Sequence, residues 1–132
     1  VFKRLMGAVL DLASGKTPRL MLRSNQWPRV RREHLARQPS CQVCGGRDKL
    51  EVHHIQSFVE HPELELDSIG NLITLCDLNN NFNCHRIFGH LNNFQQINPD
   101  VVKDAAEWSL KLKLARDEML KRKVLLRVAD DI

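Results

Sequence analysis

Apolar positions three and four residues apart open the chain. Phe2, Leu5, Met6, Val9 and Leu10 share one helical face. Ser14-Gly15 and Pro18 supply a stop, so a helix is predicted over residues 2–13. Arg19 to Asn25 reads as an irregular basic linker. A second helix is predicted from Trp27 to Arg37, with Trp27, Val30 and Leu35 facing inward, Asn25 as its N-cap and Pro28 in its first turn. Arg29, Arg31, Arg32 and Arg37 make much of its surface cationic, and His34 is expected at the surface. Pro39-Ser40 ends it.

The pattern then shortens. Leu50 to Ile55 reads as a strand, and Leu72 to Leu75 as a second one ending in Cys76. Between them runs a long connection, Gln56 to Gly70, with Pro62 and alternating acidic and apolar residues. A connection of this length inside a compact domain points to a functional loop or an Ω-loop. His61 within it is expected to be solvated. Asp77 to Asn83 is an Asn-rich loop. His85 to Gln96 reads as helical, though Gly89 weakens the pattern. After Pro99, the residues Val101, Ala105, Trp108, Leu112, Ala115 and Met119 form a helical stripe expected to pack on the core. Lys103, Lys111, Lys113 and Arg116 lie on its other face, and fraying is expected from Lys121 onward.

At 132 residues the chain makes one modest domain. Its hydrophobic fraction is 42% with only 5% aromatics, a small core that gains from a metal staple. No apolar run is long enough to span a bilayer. Asp11 breaks the opening apolar stretch and argues against an export signal, so a cytoplasmic location is expected.

Charge is unevenly placed. Residues 1–37 carry nine Lys/Arg against Asp11 and Glu33, a net of +7. Residues 38–100 carry three against eight, a net of −5, and residues 101–132 carry eight against six, a net of +2. A basic arm is thus joined to an acidic centre. Such an arm suits contact with phosphate backbones, or simply a solvated helix face.

That centre holds all four cysteines: Cys41, Cys44, Cys76 and Cys84. Cys41-x-x-Cys44-Gly45-Gly46 has the spacing and the turn glycines of a metal knuckle. With no export signal, metal binding is favoured over two disulfides. Four thiolates around one Zn²⁺ would clamp the strand-loop-strand unit at both ends; buried free thiols and a redox pair are the other readings. Apart from these ligands stand His53, His54 and His85. Because His85 follows Cys84 directly, a zinc site would fix its place. A strand histidine and a helix-start histidine could then share a second, open metal site, with room for water and a phosphate oxygen.

Four blocks occur in order: Cys-x-x-Cys-Gly, Leu50-Glu51-Val52-His53-His54-Ile55, Asn71-Leu72-Ile73-Thr74-Leu75-Cys76, and Asn83-Cys84-His85. In this they resemble the HNH endonuclease family, of the zinc-stapled and often phage-encoded kind, over roughly residues 27–105. The resemblance implies an α+β fold with a ββα-metal (His-Me finger) core and a four-cysteine zinc site, flanked by N- and C-terminal helices. The expected organisation is an N-terminal helix and basic linker at 1–26, the nuclease core with structural zinc at 27–105, and a C-terminal amphipathic helix and tail at 106–132.

By resemblance His53 is a ligand of the catalytic ion, His54 the general base, Asn71 the residue that braces the loop and helps orient the base, and His85 a further metal ligand. Some members add a ligand about one helical turn later, for which His90 is the candidate. Five residues turn an ideal helix by about 140° beyond a full turn, so only a break near Gly89 would bring His90 beside His85. The strand poses a second conflict. Adjacent strand residues point to opposite faces, so His53 and His54 can serve one cleft only at a bulge, a strong twist or a strand end.

The activity implied is metal-dependent hydrolysis of DNA phosphodiester bonds, leaving 5′-phosphate and 3′-hydroxyl ends. Arg29, Arg31 and Arg32 are expected to hold the backbone of double-stranded DNA. The cofactors implied are structural Zn²⁺ and one divalent catalytic ion: Mg²⁺, Mn²⁺, Ni²⁺ or Zn²⁺. The alternatives are a non-catalytic nucleic-acid-binding zinc module and a partner-dependent subunit of a phage DNA-packaging machine. A homodimer or a packaging partner is the protein partner considered, in a bacterial or phage-infected cell.

Overall fold

The computed structural model describes residues 23–78 and 83–130. The helix expected over residues 2–13, the first part of the basic linker and the middle of the Asn-rich loop lie outside them. The elements run in the order α1 (Trp27–Arg37), β1 (Leu50–His54), a short 3₁₀ turn (Pro62–Leu64), β2 (Leu72–Cys76), a π-helical turn (His85–Gly89) and α2 (Val101–Asp130).

β1 and β2 pair antiparallel, with Leu50 opposite Cys76, His53 opposite Ile73 and His54 opposite Leu72. Alternation puts Val52 and His54 on one face and His53 on the other. The first face meets α1, where Trp27, Val30, Val52 and Leu72 form a buried cluster. On the second face Ile73 and Leu75 pack with Val101 and Ala105 of α2, and with Cys41, Val43 and Cys76. All five residues of β2 are therefore buried, which accounts for its nearly continuous apolar run.

A two-stranded sheet leaves β2 with an open edge, and side chains and loops cover it. The Thr74 N–H donates to Gln38 Oε1 (2.6 Å), and the Gln42 N–H donates to the Thr74 carbonyl (3.0 Å). Thr74 Oγ1 also donates to the Gln38 carbonyl (2.8 Å), fixing the end of α1 to the strand.

Three local expectations are corrected. Asn25 does not cap α1; Gln26 holds that place without a side-chain bond, and Ser24 Oγ accepts the Gln26 N–H (3.2 Å). His34 is not at the surface. It follows Trp27 and Val30 at helical spacing, is 4% exposed, and lies between the Ser68 carbonyl (3.3 Å) and Gln38 Oε1 (3.2 Å). The helix expected to Gln96 stops at His90, where Leu91 and Asn92 take positive φ of 52° and 64°.

α2 is continuous from Val101 to Asp130, beyond the point where fraying was expected. At ~1.5 Å per residue it outruns the five-residue strands it packs on. Only Val101 and Ala105 are buried and Leu112 half-buried, whereas Trp108 (47% exposed) and Met119 (58%) of the expected core stripe face solvent. Helix-favouring Leu, Lys, Arg and Ala, with a Glu118–Arg122 pair at 3.3 Å, carry the rest. Arg116, from the cationic face, donates to the Cys44 carbonyl (3.1 Å) and ties α2 to the knuckle. No helix among the described residues is long and apolar enough to cross a membrane.

Asn98 joins the π-helical turn to α2. Its Nδ2 donates to the Phe88 carbonyl (2.8 Å) and Asp104 Oδ2 (2.8 Å), its Oδ1 accepts the Asp100 N–H (3.0 Å), and its N–H donates to the Gly89 carbonyl (2.9 Å). The residue is 3% exposed. Asn98→Ala strands the partners of a buried amide and is expected to cost about 1–3 kcal/mol, read as a lower urea midpoint at unchanged slope.

Candidate functional site

Two clusters of metal-ligating side chains sit at the two ends of the sheet: Cys41, Cys44, Cys76 and Cys84, and His53, His85 and His90. In each, one donor atom per residue lies within 4.8 Å of every other.

The cysteine cluster is built by the knuckle. Gly45, at φ +75°, turns the chain so that its N–H donates to the Cys41 carbonyl (2.9 Å), and the Cys41 N–H donates to the Gly46 carbonyl (2.8 Å). The Gly46 N–H points at Cys44 Sγ (3.4 Å). Cys76 ends β2 and Cys84 precedes the π-helical turn. Cys44 Sγ and Cys76 Sγ are 3.8 Å apart. Sulfurs around a tetrahedral ion at ~2.3 Å lie about 3.8 Å apart, far beyond a disulfide bond. The hydrogen bond from Cys84 holds the Cys41 thiol down at about 4, and the same shared proton pushes Cys84 up. Burial raises Cys76 as well. Cys41 is thus the readily ionised member of the pair it forms with Cys84, and a bound cation is what would ionise Cys76 and Cys84 as well. The residues fit a structural metal.

The histidine cluster depends on the π-helical turn. In an α-helix His85 and His90 would diverge. A turn that closes five residues on brings them to one side, and their Nε2 atoms are 3.2 Å apart. At a metal–nitrogen bond of ~2.0–2.1 Å, two nitrogens of a tetrahedral ion lie about 3.4 Å apart. The break that His90 required is therefore the whole turn rather than a kink at Gly89. Asn83 starts it, its Oδ1 accepting the Arg86 N–H (2.5 Å). The His90 Nδ1–H donates to the Gln96 carbonyl (2.6 Å), which leaves a lone pair on Nε2.

His53 packs edge-on to both rings, with centroids 5.2 Å from His85 and 4.8 Å from His90. Its Nε2 and the Nδ1 of His85 are buried without a hydrogen-bond partner among the described residues. Burial, reinforced by the neighbouring imidazoles, brings the His53 pKa down to about 3 and lowers that of His85. Both are neutral at pH 7, the ligating form. The orphaned Nε2 of His53, in a set of three imidazoles whose His85 and His90 Nε2 atoms converge, fits an open divalent site.

His54 occupies the opposite face of β1. Its ring stacks on Trp27 (4.7 Å, 30°) and lies against Phe58 (5.1 Å). Nε2 donates to the Glu65 carbonyl (2.8 Å), which assigns the proton to Nε2 and the lone pair to Nδ1. Burial lowers its pKa against the opposing effect of that bond. The strand conflict is resolved by position. Both histidines lie at the end of β1, where a cavity of about 170 Å³ is reached from both faces.

Asn71 braces the loop. Its Nδ2 donates to the Gln56 (3.0 Å) and Leu64 (3.2 Å) carbonyls, and its Oδ1 accepts the Gln56 N–H (2.7 Å). Leu64 precedes Glu65, so Asn71 holds the backbone whose next carbonyl holds His54.

The three arginines singled out on α1 are placed differently from one another. Arg31 donates to the Leu50 carbonyl (3.0 Å) and lies 3.6 Å from Glu51; Arg29 pairs loosely with Glu33 (3.9 Å); Arg32 is exposed. None lines the cavity, but Arg23 does. Sequence reasoning passed over Arg23 as part of a basic linker, and over Glu65 as one acid among several in the loop.

The family model of the HNH endonuclease matches residues 41–90. That segment begins on Cys41 and ends on His90, and contains both ligand clusters, His54 and Asn71. No curated protein and no solved structure matches the chain. The pair of strands followed by the short helical turn corresponds to the family's ββα-metal fold, and the match supports a nuclease-type function.

Gly89 faces the His53 ring so closely that a Cβ would lie 3.0 Å from two ring atoms. Gly89→Ala is expected to displace His53 and weaken divalent-ion binding at the histidine cluster by about 10–100-fold, while the cysteine site keeps its metal. Titration of Co²⁺ into the zinc-loaded protein checks this, and unchanged affinity would remove His53 from the ligand set.

Proposed function

We propose that this chain, carrying an HNH endonuclease domain at residues 41–90, hydrolyses phosphodiester bonds of double-stranded DNA. The observation that supports it most is the state of His54: a buried, oriented imidazole with its proton on Nε2 and a bare Nδ1, beside a three-histidine cluster in one cavity.

His53, His85 and His90 would hold a divalent ion, and Cys41, Cys44, Cys76 and Cys84 a structural Zn²⁺. An ion held there would supply Lewis-acid stabilisation of the charge that develops during phosphodiester hydrolysis. Imidazole ligands favour Zn²⁺, Ni²⁺ or Mn²⁺, whereas Mg²⁺ prefers oxygen. His54 Nδ1 takes a proton from the attacking water as the new phosphorus–oxygen bond forms and the bond to the 3′ oxygen breaks. The Glu65 carbonyl then stabilises the imidazolium through its bond to Nε2. Trp27 and Phe58 confine the ring, and Asn71 acts on it only through the loop. Arg29 and Arg32, exposed on α1, would meet flanking phosphates, so affinity should fall with salt.

Plasmid cleavage by metal-stripped protein, with Mg²⁺, Mn²⁺, Ni²⁺ and Zn²⁺ added separately, tests the reading. Wild type should nick or linearise the plasmid with at least one ion, and His54→Ala should be slower by about 10²–10⁴-fold while still binding metal and DNA. Full cleavage by His54→Ala would dismiss it as the base. Salt-sensitive binding without cleavage, with any ion, would point to the non-catalytic module.

A further inference from the structure

Arg23 lies outside the matched segment, yet it lines the same cavity as His53, His54, His85 and His90. Its guanidinium sits over the Trp27 ring (4.5 Å) and the Phe58 ring (5.2 Å), the two rings that enclose His54. The following residue is pinned, because the Ser24 N–H donates to Glu65 Oε1 (2.7 Å). Glu65 is 1% exposed, and its own carbonyl holds His54. One buried residue thus fixes both the imidazole and the backbone next to the arginine.

We propose that Arg23 binds the scissile phosphate across the cavity from the histidine cluster and stabilises the charge its oxygens gain in the transition state. The proposal rests on the nuclease reading above. A planar guanidinium stacked on aromatic faces is held at its faces, leaving its edge donors free to meet two phosphate oxygens. Arg31, by contrast, already donates to the Leu50 carbonyl. Arg23 is exposed at the rim of the cavity it lines, so an incoming phosphate can reach its guanidinium. A phosphate in this cavity meets positive charge from two sides.

Wild type, Arg23→Ala and Arg23→Lys are compared with the ion that supports cleavage. Arg23→Ala should lower kcat by about 10²–10³-fold. KM for plasmid should change far less, because many phosphates share the binding. Arg23→Lys should recover part of the loss, since it keeps the charge but not the fork. Inorganic phosphate titrated into the metal-loaded protein gives a second readout through Trp27 fluorescence. The response should persist in His54→Ala and be lost in Arg23→Ala. Zinc content and the thermal midpoint should match wild type in both Arg23 variants. If wild type cuts and Arg23→Ala cuts equally well, Arg23 has no such role and the nuclease reading stands. If wild type fails to cut with every ion tried, the nuclease reading fails, and the phosphate titration decides whether Arg23 is an anion site. A phosphate response that ignores Arg23 overturns the proposal in either case.

Discussion

Cys84 and His85 are consecutive residues that belong to different clusters, and this single peptide bond constrains the rest of the site. The cysteine cluster fixes Cys84 against β2 and the knuckle, so His85 has little freedom once the sulfurs converge. The π-helical turn then carries that placement to His90, and the missing side chain of Gly89 lets His53 approach. Binding a structural metal is folding free energy for a domain with so small a core. The cysteine cluster is therefore the support on which the histidine geometry is assembled, and its removal would disturb the histidines without touching them.

The long loop between the strands has a similar logic. It contains little regular structure, but its backbone is held by Asn71 at Gln56 and Leu64. The carbonyl that orients His54 is the next one along, and the side chain of the same residue, Glu65, anchors the chain beside Arg23. Charge repulsion among loop acids would work against such order in open solvent. Burying the Glu65 carboxylate against a backbone N–H keeps this acid within a fixed arrangement instead.

Much of this was legible in the sequence because it rests on spacing. The Cys-x-x-Cys-Gly-Gly knuckle, the apolar run Leu72–Leu75 and the adjacency of Cys84 and His85 each have one economical geometry, and the structure adopts it. What was not legible depends on tertiary satisfaction of single groups. His34 shares the buried helical face of Trp27 and Val30, but a polar ring is kept there only because Gln38 and Ser68 offer it partners, which spacing does not encode. The exposed second half of α2 reads as amphipathic in one dimension, but the two-stranded sheet is too short to receive it. The π-helical turn escaped because its signal is geometric: Asn83 at its start and Asn98 holding its end close a ring that residue preferences alone do not demand.

Charge explains why the cations of the site come from outside the matched segment. Residues 38–100 carry a formal net charge of −5. Four thiolates with one Zn²⁺ would add about −2 more. Such a centre repels a phosphate backbone, and the buried His53 and His85, whose pKa values burial lowers, do nothing to offset this. Attraction would come from an ion held at the histidines and from the flanks. Arg23 enters the cavity, Arg29 and Arg32 stay exposed on α1, and Arg31 is turned back to Glu51. The division has a chemical use. On the proposed reading, cations kept at the rim would leave the buried His53, His54 and His85 neutral while a phosphate backbone is still drawn in.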